Sequence, residues 1–249
     1  MTPETCPHCQ STTTKAGRNP SGSQRHQCKT CRRHFTPLPN RNGYGPEVRR
    51  RAIRAVLQGN SLRGTAALEE VAPESVANWV KAHAARLPEP ACPDEVDIAE
   101  MDELFTFVGN KTQRVYLVTL VDRKTRCFLG WDVVKERTTE ALQAVLDAGP
   151  RAFQYNTDAF STYTTLHWRG QYHLVAPGKS ETYAVEGNNA ELRHYVARLA
   201  RRTRCFAQTL TGLQQLLRLF VYYWNQRQLY HRQYPQYRRS LVSFVPAIP

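Results

Sequence analysis

No run of about 18 apolar residues occurs in the 249-residue chain, so nothing in it reads as a membrane-spanning helix. The start, Met1 to Cys6, lacks the basic and apolar regions of a signal peptide, and the chain is expected to stay in the cytoplasm. Acidic residues are scarce: 21 Asp and Glu stand against 34 Lys and Arg, a net charge of +13. That balance points to a polyanion as partner. It is also uneven, because residues 186–249 carry ten basic and two acidic side chains while residues 96–185 carry ten and eleven. A near-neutral middle between basic flanks suits a core that works on DNA held by phosphate-binding surfaces. Seven cysteines in a reducing compartment read as metal ligands or small buried hydrophobes rather than as disulfides.

Four of those cysteines form two Cys-x-x-Cys pairs, Cys6/Cys9 and Cys28/Cys31, with 18 residues between them. That spacing predicts a four-cysteine Zn²⁺ site. The intervening residues are polar and rich in turn formers, so residues 1–39 are expected to be a small ribbon that folds on metal binding. Lys15, Arg18, Arg25, Lys29, Arg32 and Arg33 surround it and suit contact with phosphates.

Residues 45–86 carry three helical patterns. The first opens at Pro46 and ends near Gly59, the second is capped by Ser61 and runs to about Glu70, and the third opens at Pro73 and runs to Ala84. A helix-turn-helix fits them, with Ser75, Asn78, Lys81 and His83 on the reading helix and Arg49, Arg50, Arg51 and Arg54 for the DNA backbone. A plain three-helix bundle fits the same pattern. Three prolines within Leu87–Pro93 make residues 87–95 read as a semi-rigid linker.

Beyond it, over residues 96–210, the order of elements is that of an α/β RNase H-like core. Strands are expected over Asp97–Val108, Arg114–Val121 and Cys127–Val134, then a helix over Thr138–Ala148. A short strand ending at Asp158, a helix-like stretch Ser161–Trp168, a strand Tyr172–Ala176 and a final helix opened by Glu186 follow. This order puts Asp102 and Asp158 on neighbouring strands and brings Glu186 across the sheet edge. Three carboxylates from three elements are what a two-metal phosphoryl-transfer site requires, because Mg²⁺ prefers oxygen ligands and two ions can serve both the attacking and the leaving oxygen. Arg193 lies two turns after Glu186 on one helix face, suited to grip a phosphate, with Asn189 between them. Glu103, next to Asp102, is expected to point to the opposite face of its strand and away from the site.

The Cys6/Cys9 and Cys28/Cys31 pairs, the three-helix region, Met101-Asp102-Glu103, Thr157-Asp158 and the run Glu186 to Arg193 together resemble the IS-one family of bacterial insertion-sequence transposases, over about residues 5–210. The stretch Leu192-Arg193 through Ala197-Arg198-Leu199 with Arg201-Arg202 is the most specific part. The resemblance implies a DDE transposase: a multidomain chain of zinc ribbon, all-α helix-turn-helix and α/β RNase H-like catalytic domain. It implies Asp102, Asp158 and Glu186 as the catalytic acids for Mg²⁺ or Mn²⁺, with Arg193 as the accompanying basic residue. The partners it implies are double-stranded DNA, as terminal inverted repeats and target, and at least a homodimer on paired ends. Gly187 stands where a larger residue is expected.

The remaining tail, residues 211–249, starts as an apolar helix and continues as tyrosines interleaved with arginines, open to stacking on a DNA end or to packing on the core. Two other readings of the whole remain open: a DNA-binding regulator without catalysis, and a nuclease that cuts without joining.

Overall fold

The computed structural model describes residues 5–38, 43–176, 180–201 and 203–246, and the chain divides into two compact units, residues 1–45 and 46–249. In the first unit, strands β1 (Thr13–Arg18), β2 (Gln24–Cys28) and β3 (His34–Phe35) form an antiparallel sheet in that order. Each cysteine pair sits on a tight knuckle. Gln10 N donates to the Cys6 carbonyl (2.9 Å) and Arg32 N to the Cys28 carbonyl (3.1 Å), and both Gln10 and Arg32 adopt left-handed backbone (φ 57° and 55°).

The knuckles turn all four sulfurs to one point, within 4.8 Å of one another. The Cys6–Cys31 and Cys9–Cys28 sulfurs lie 3.7 and 3.4 Å apart. Tetrahedral zinc with Zn–S bonds of about 2.3 Å needs edges of about 3.8 Å, so the four thiols fit that ion with little adjustment. The Cys31 and His8 amides donate to the Cys28 and Cys6 sulfurs and fix their direction toward that point. The four-cysteine cluster could hold zinc.

The second unit begins with α1 (Pro46–Val56), α2 (Leu62–Leu68) and α3 (Pro73–Arg86). Ser61 caps α2 by accepting from Gly64 N at 3.0 Å, and Pro73 occupies the first turn of α3, as their sequence signals require. A five-stranded sheet follows, built of β4 (Val96–Phe107), β5 (Arg114–Asp122), β6 (Phe128–Val134), β7 (Ala152–Thr157) and β8 (Tyr172–Val175) in the order β6-β5-β4-β7-β8. The first three strands are antiparallel neighbours, while β7 pairs parallel to β4 and β8 parallel to β7. The crossover between β6 and β7 is α4 (Thr139–Ala148), capped by Thr138. Then come α5 (Tyr183–Tyr195) and α6 (Leu210–Gln233), capped by Thr209.

Strand alternation divides the core. Met101, Val118 and Leu120 face α4, whereas Leu104, Leu117 and Val121 face α6, with α1, α2 and α3 packed into that same second layer. Residues 45–86 therefore share one compact unit with the sheet instead of standing apart from it. His83, expected at a DNA groove, is engaged inside this packing, 2.7 Å from the Tyr223 hydroxyl on α6. The proline-rich stretch after α3 is likewise no free spacer. Arg218 of α6 donates to the carbonyls of Ala84 and Leu87, and Asn225 to that of Ala91, capturing acceptors an extended proline-rich segment leaves unsatisfied. Residues 161–168 form a 3-10 turn (Ser161–Thr165) rather than an α-helix, because the Thr164 and Thr165 hydroxyls bond the carbonyls three residues back. Among the described residues, no helix is long and apolar enough to cross a membrane.

One buried carboxylate joins β4 to α5. Glu100 is fully buried, and its Oε2 accepts from the backbone N–H groups of Ala184 (2.7 Å) and Val185 (2.9 Å), two of the donors that a helix start leaves unpaired. Its Oε1 pairs with Arg123 Nε at 2.5 Å, and Arg123 also reaches the Glu181 carbonyl and carboxylate.

Removing zinc with a chelator is expected to unfold the ribbon and leave the sheet unit intact, because the metal supplies about 10 kcal/mol or more of the ribbon's folding energy; a ribbon whose amide spectrum is unchanged on metal removal contradicts the assignment. Glu100→Ala leaves Arg123 Nε and two helix amides without their partner in the core and lowers unfolding free energy by about 3–5 kcal/mol, the cost of breaking a buried pair. Urea denaturation reads this directly, and a loss under about 1 kcal/mol shows that the contact matters little.

Candidate active site

The site forms where two strands part company. β7 pairs with β4 only from Val96 to Glu100, and beyond that point β4 runs on to Phe107 with its β7-facing edge open. Asp158 immediately follows β7 at this gap, and the first turn of α5 brings Glu186 over it. The resulting cleft is lined by Asp102, Glu103, Asp158, Glu186, Asn189 and Arg193, with Arg201 at its margin.

Asp102 is half-buried and firmly held. Asn189 donates to its Oδ2 at 2.9 Å, and Thr119 of β5 donates to the Asn189 carbonyl oxygen at 3.2 Å, so the amide is locked in one orientation. Burial pushes the Asp102 carboxyl up from its ordinary range, and the neighbouring charges of Asp158 and Glu186 add to the effect. Asp158 is exposed and accepts from Phe160 N at 3.0 Å. Glu186 is half-buried and receives the Thr182 hydroxyl at 3.4 Å. Among the described residues, the four cysteines are the one group of three or more such side chains already gathered as a metal site. The like charges of Asp158 and Glu186 bear on Asp102, and a cation between them would relieve the repulsion. An all-oxygen donor set under mutual repulsion is chemistry that fits a hard divalent ion.

Glu103 stands on the opposite face of β4 from Asp102, as expected, opposite Val118 on the α4 side, yet it still borders the cleft. The open edge of β4 lets side chains from both faces reach the gap, and Glu103 lines the cleft with Arg137 at 3.8 Å. Desolvation raises its carboxyl to about 7, an effect that the neighbouring Tyr163 hydroxyl and Arg137 partly offset. Asn189, expected at DNA, is buried against Asp102 instead. Arg193 lines the cleft, and no salt bridge or hydrogen bond holds its guanidinium among the described residues. On α3, Asn78 and Lys81 are exposed and Ser75 is half-buried. Of the α1 arginines, Arg50 donates to the Val245 carbonyl, Arg51 pairs with Glu69, and Arg49 and Arg54 are half-buried.

Gly187 has a structural reason. A side chain there would collide with the Arg126 guanidinium, which crosses the helix at this point and donates to Asn188 at 2.9 Å. The Arg126 carbonyl in turn accepts from Asn188 and from Trp224 of α6 at 2.8 Å each. Together with Glu100, this contact fixes the rotation of α5. Neither stood out in the sequence. The signal for Glu100 is a carboxylate two residues before Asp102 on the same strand face, a burial that demands donors.

A family model described as IS1 transposase matches residues 96–228, a segment that contains every element from β4 to α5 and most of α6. Insertion element IS1 protein InsB of Shigella flexneri is 31% identical over 115 residues, covering 45% of this chain and 84% of that protein. Insertion element iso-IS1n protein InsB of Shigella dysenteriae is 29% identical over 130 residues, covering 50% and 93%. A solved structure titled "CryoEM structure of simian T-cell lymphotropic virus intasome in complex with PP2A regulatory subunit B56 gamma" covers 72% of this chain and 65% of that chain at 15% identity, with a TM-score of 0.33, too low a likeness to bear on the fold. The family match spans more than half of the chain and takes in the whole carboxylate cleft, and the protein belongs to the IS1 transposase family.

Proposed function

We propose that this chain is a DDE transposase whose RNase H-like core cleaves the ends of an insertion sequence and joins them to target DNA. The observation that carries the reading is the single cleft shared by Asp102, Asp158, Glu186 and Arg193 within the segment that matches the transposase family. Asp102, Asp158 and Glu186 are the residues that would hold Mg²⁺ or Mn²⁺. Bound there, the metal supplies activation of the attacking oxygen and stabilisation of the leaving one.

The rest of the work belongs to the chain. Asn189 keeps Asp102 turned into the cleft, and the Glu100 contact holds α5, and with it Glu186, against β4. Arg193 donates to a non-bridging oxygen of the scissile phosphate, drawing charge toward a fixed cation as the bond breaks. Water attacks phosphorus first and the 3′ oxygen departs, leaving a 3′-hydroxyl. That hydroxyl then attacks a target phosphodiester, forming one phosphodiester bond and breaking another with no covalent link to the protein. Ends are selected by α1 to α3 acting as a helix-turn-helix, with Asn78, Lys81 and Ser75 toward bases and Arg49, Arg50 and Arg54 toward phosphates, aided by the basic zinc ribbon. Two ends must meet for joining, so the working species is at least a homodimer on paired ends.

Asp158→Asn is exposed and conservative, so it loses cleavage and joining by about 10³-fold or more, the scale of losing one member of a catalytic set, while end binding persists. The assay pairs a labelled fragment bearing the element's own terminal repeat with supercoiled target in Mg²⁺; a variant that still cleaves overturns the assignment. Cutting without joining by the native protein points to a nuclease, and binding with neither points to a regulator. Mass photometry of the native protein on paired ends gives at least two chains per complex, and a persistent monomer contradicts the paired-end arrangement.

A further inference from the structure

Next to the carboxylate cleft lies a second hollow of about 860 Å³ that the proposed chemistry leaves unused. It shares Phe105, Arg193 and Arg201 with the cleft and so opens directly from it. Three aromatic rings line it in sequence: Phe105 and Phe107 stand edge to face at 6.0 Å, and Phe107 and Phe206 at 6.3 Å. Phe105 is 51% exposed, so its ring is open to a ligand from this side. Lys111, Arg201 and Arg204 lie around the rings, no carboxylate lines the hollow, and none of these cations, nor Arg193, has a salt bridge or hydrogen bond among the described residues. Arg114 sits 4.9 Å from the Phe105 ring centre and adds a further positive charge beneath this wall.

Flat apolar rings set among unpaired cations are complementary to a ligand with aromatic faces strung on an anionic backbone. Duplex DNA hides its base faces by stacking, whereas a single strand offers them. We infer that this hollow holds unpaired nucleotides of a DNA strand running past the carboxylate cleft, stacked on Phe105 and neutralised by Lys111, Arg201 and Arg204. The inference rests on the proposed function for its placement beside the scissile bond. It adds a consequence: the end is frayed locally before or during cleavage, and the hollow offsets the cost of opening the terminal pairs.

The test uses the full zinc-loaded chain without added Mg²⁺ and reads fluorescence anisotropy. The probes are a labelled blunt duplex and the same duplex ending in a few unpaired thymidines. The native chain prefers the frayed probe by about tenfold, the effect of one stacked base. Phe105→Ala removes that preference and leaves blunt-duplex affinity unchanged, whereas Phe105→Trp keeps it. Arg204→Ala weakens the frayed probe most and lowers its salt slope by about one. No preference in the native chain, or one that survives Phe105→Ala, overturns the inference. So does a Phe105→Ala variant whose only change is its oligomeric mass, which would make this face a contact between chains. Joining is not read here, so the two readings separate. A chain that prefers frayed ends through Phe105 yet never joins DNA keeps this site and loses the transposase reading. A chain that joins ends but shows no such preference loses this site alone.

Discussion

Everything at the cleft depends on one buried carboxylate that does no chemistry itself. Glu100 bonds the first amides of α5 with one oxygen and Arg123 with the other, and Arg123 fastens the segment leading into the helix. Asp102 sits two residues along on the same face of β4, and Glu186 lies in the first turn of α5, so this contact sets the spacing between two of the three acids. A fully buried charge is tolerated because each oxygen has a donor. Arg126, crossing over Gly187, fixes the helix rotation from its other side. Helix α5 has little freedom left in tilt or turn.

The strand pairing supplies the space. Had β7 continued beside β4, Asp102 would be enclosed by sheet and Asp158 carried away from it. Its ending at Thr157 leaves a notch that α5 roofs, and into it project acids from the strand interior, the strand end and the helix start. The same open edge admits Glu103 and, further along β4, exposes Phe105 and Phe107 to the basic segment after α5. Anionic floor and cationic, aromatic wall are thus two consequences of one strand outrunning its neighbour.

Local signals were the legible part of the sequence. The cysteine spacing, the Ser61 cap, Pro73 and the alternation along β4 and β5 each located an element within a residue or two, because each is decided by neighbours in the chain. Contacts across the fold were not legible in that way. Glu100 reads as one more acid until α5 is set against it, and His83 reads as a groove contact until Tyr223 of α6 takes it. The segment after α3 reads as a spacer because its captors, Arg218 and Asn225, lie more than a hundred residues later. Alternation put Glu103 on the correct face of β4, but not its approach to the cleft rim, which the loss of the β7 partner beyond Glu100 allows. Even α5 begins earlier than its apolar pattern indicates, at Tyr183, since the caps that start it come from Glu100 on β4.

The central claim is that Asp102, Asp158 and Glu186 are placed to hold divalent metal, and anomalous diffraction from crystals soaked in Mn²⁺ tests it without reference to any DNA sequence. The account predicts anomalous density bonded to oxygens of Asp102 and Asp158, with Glu186 drawn in, and its loss in Asp158→Asn. Density that avoids this cleft, or persists unchanged in that variant, would contradict it.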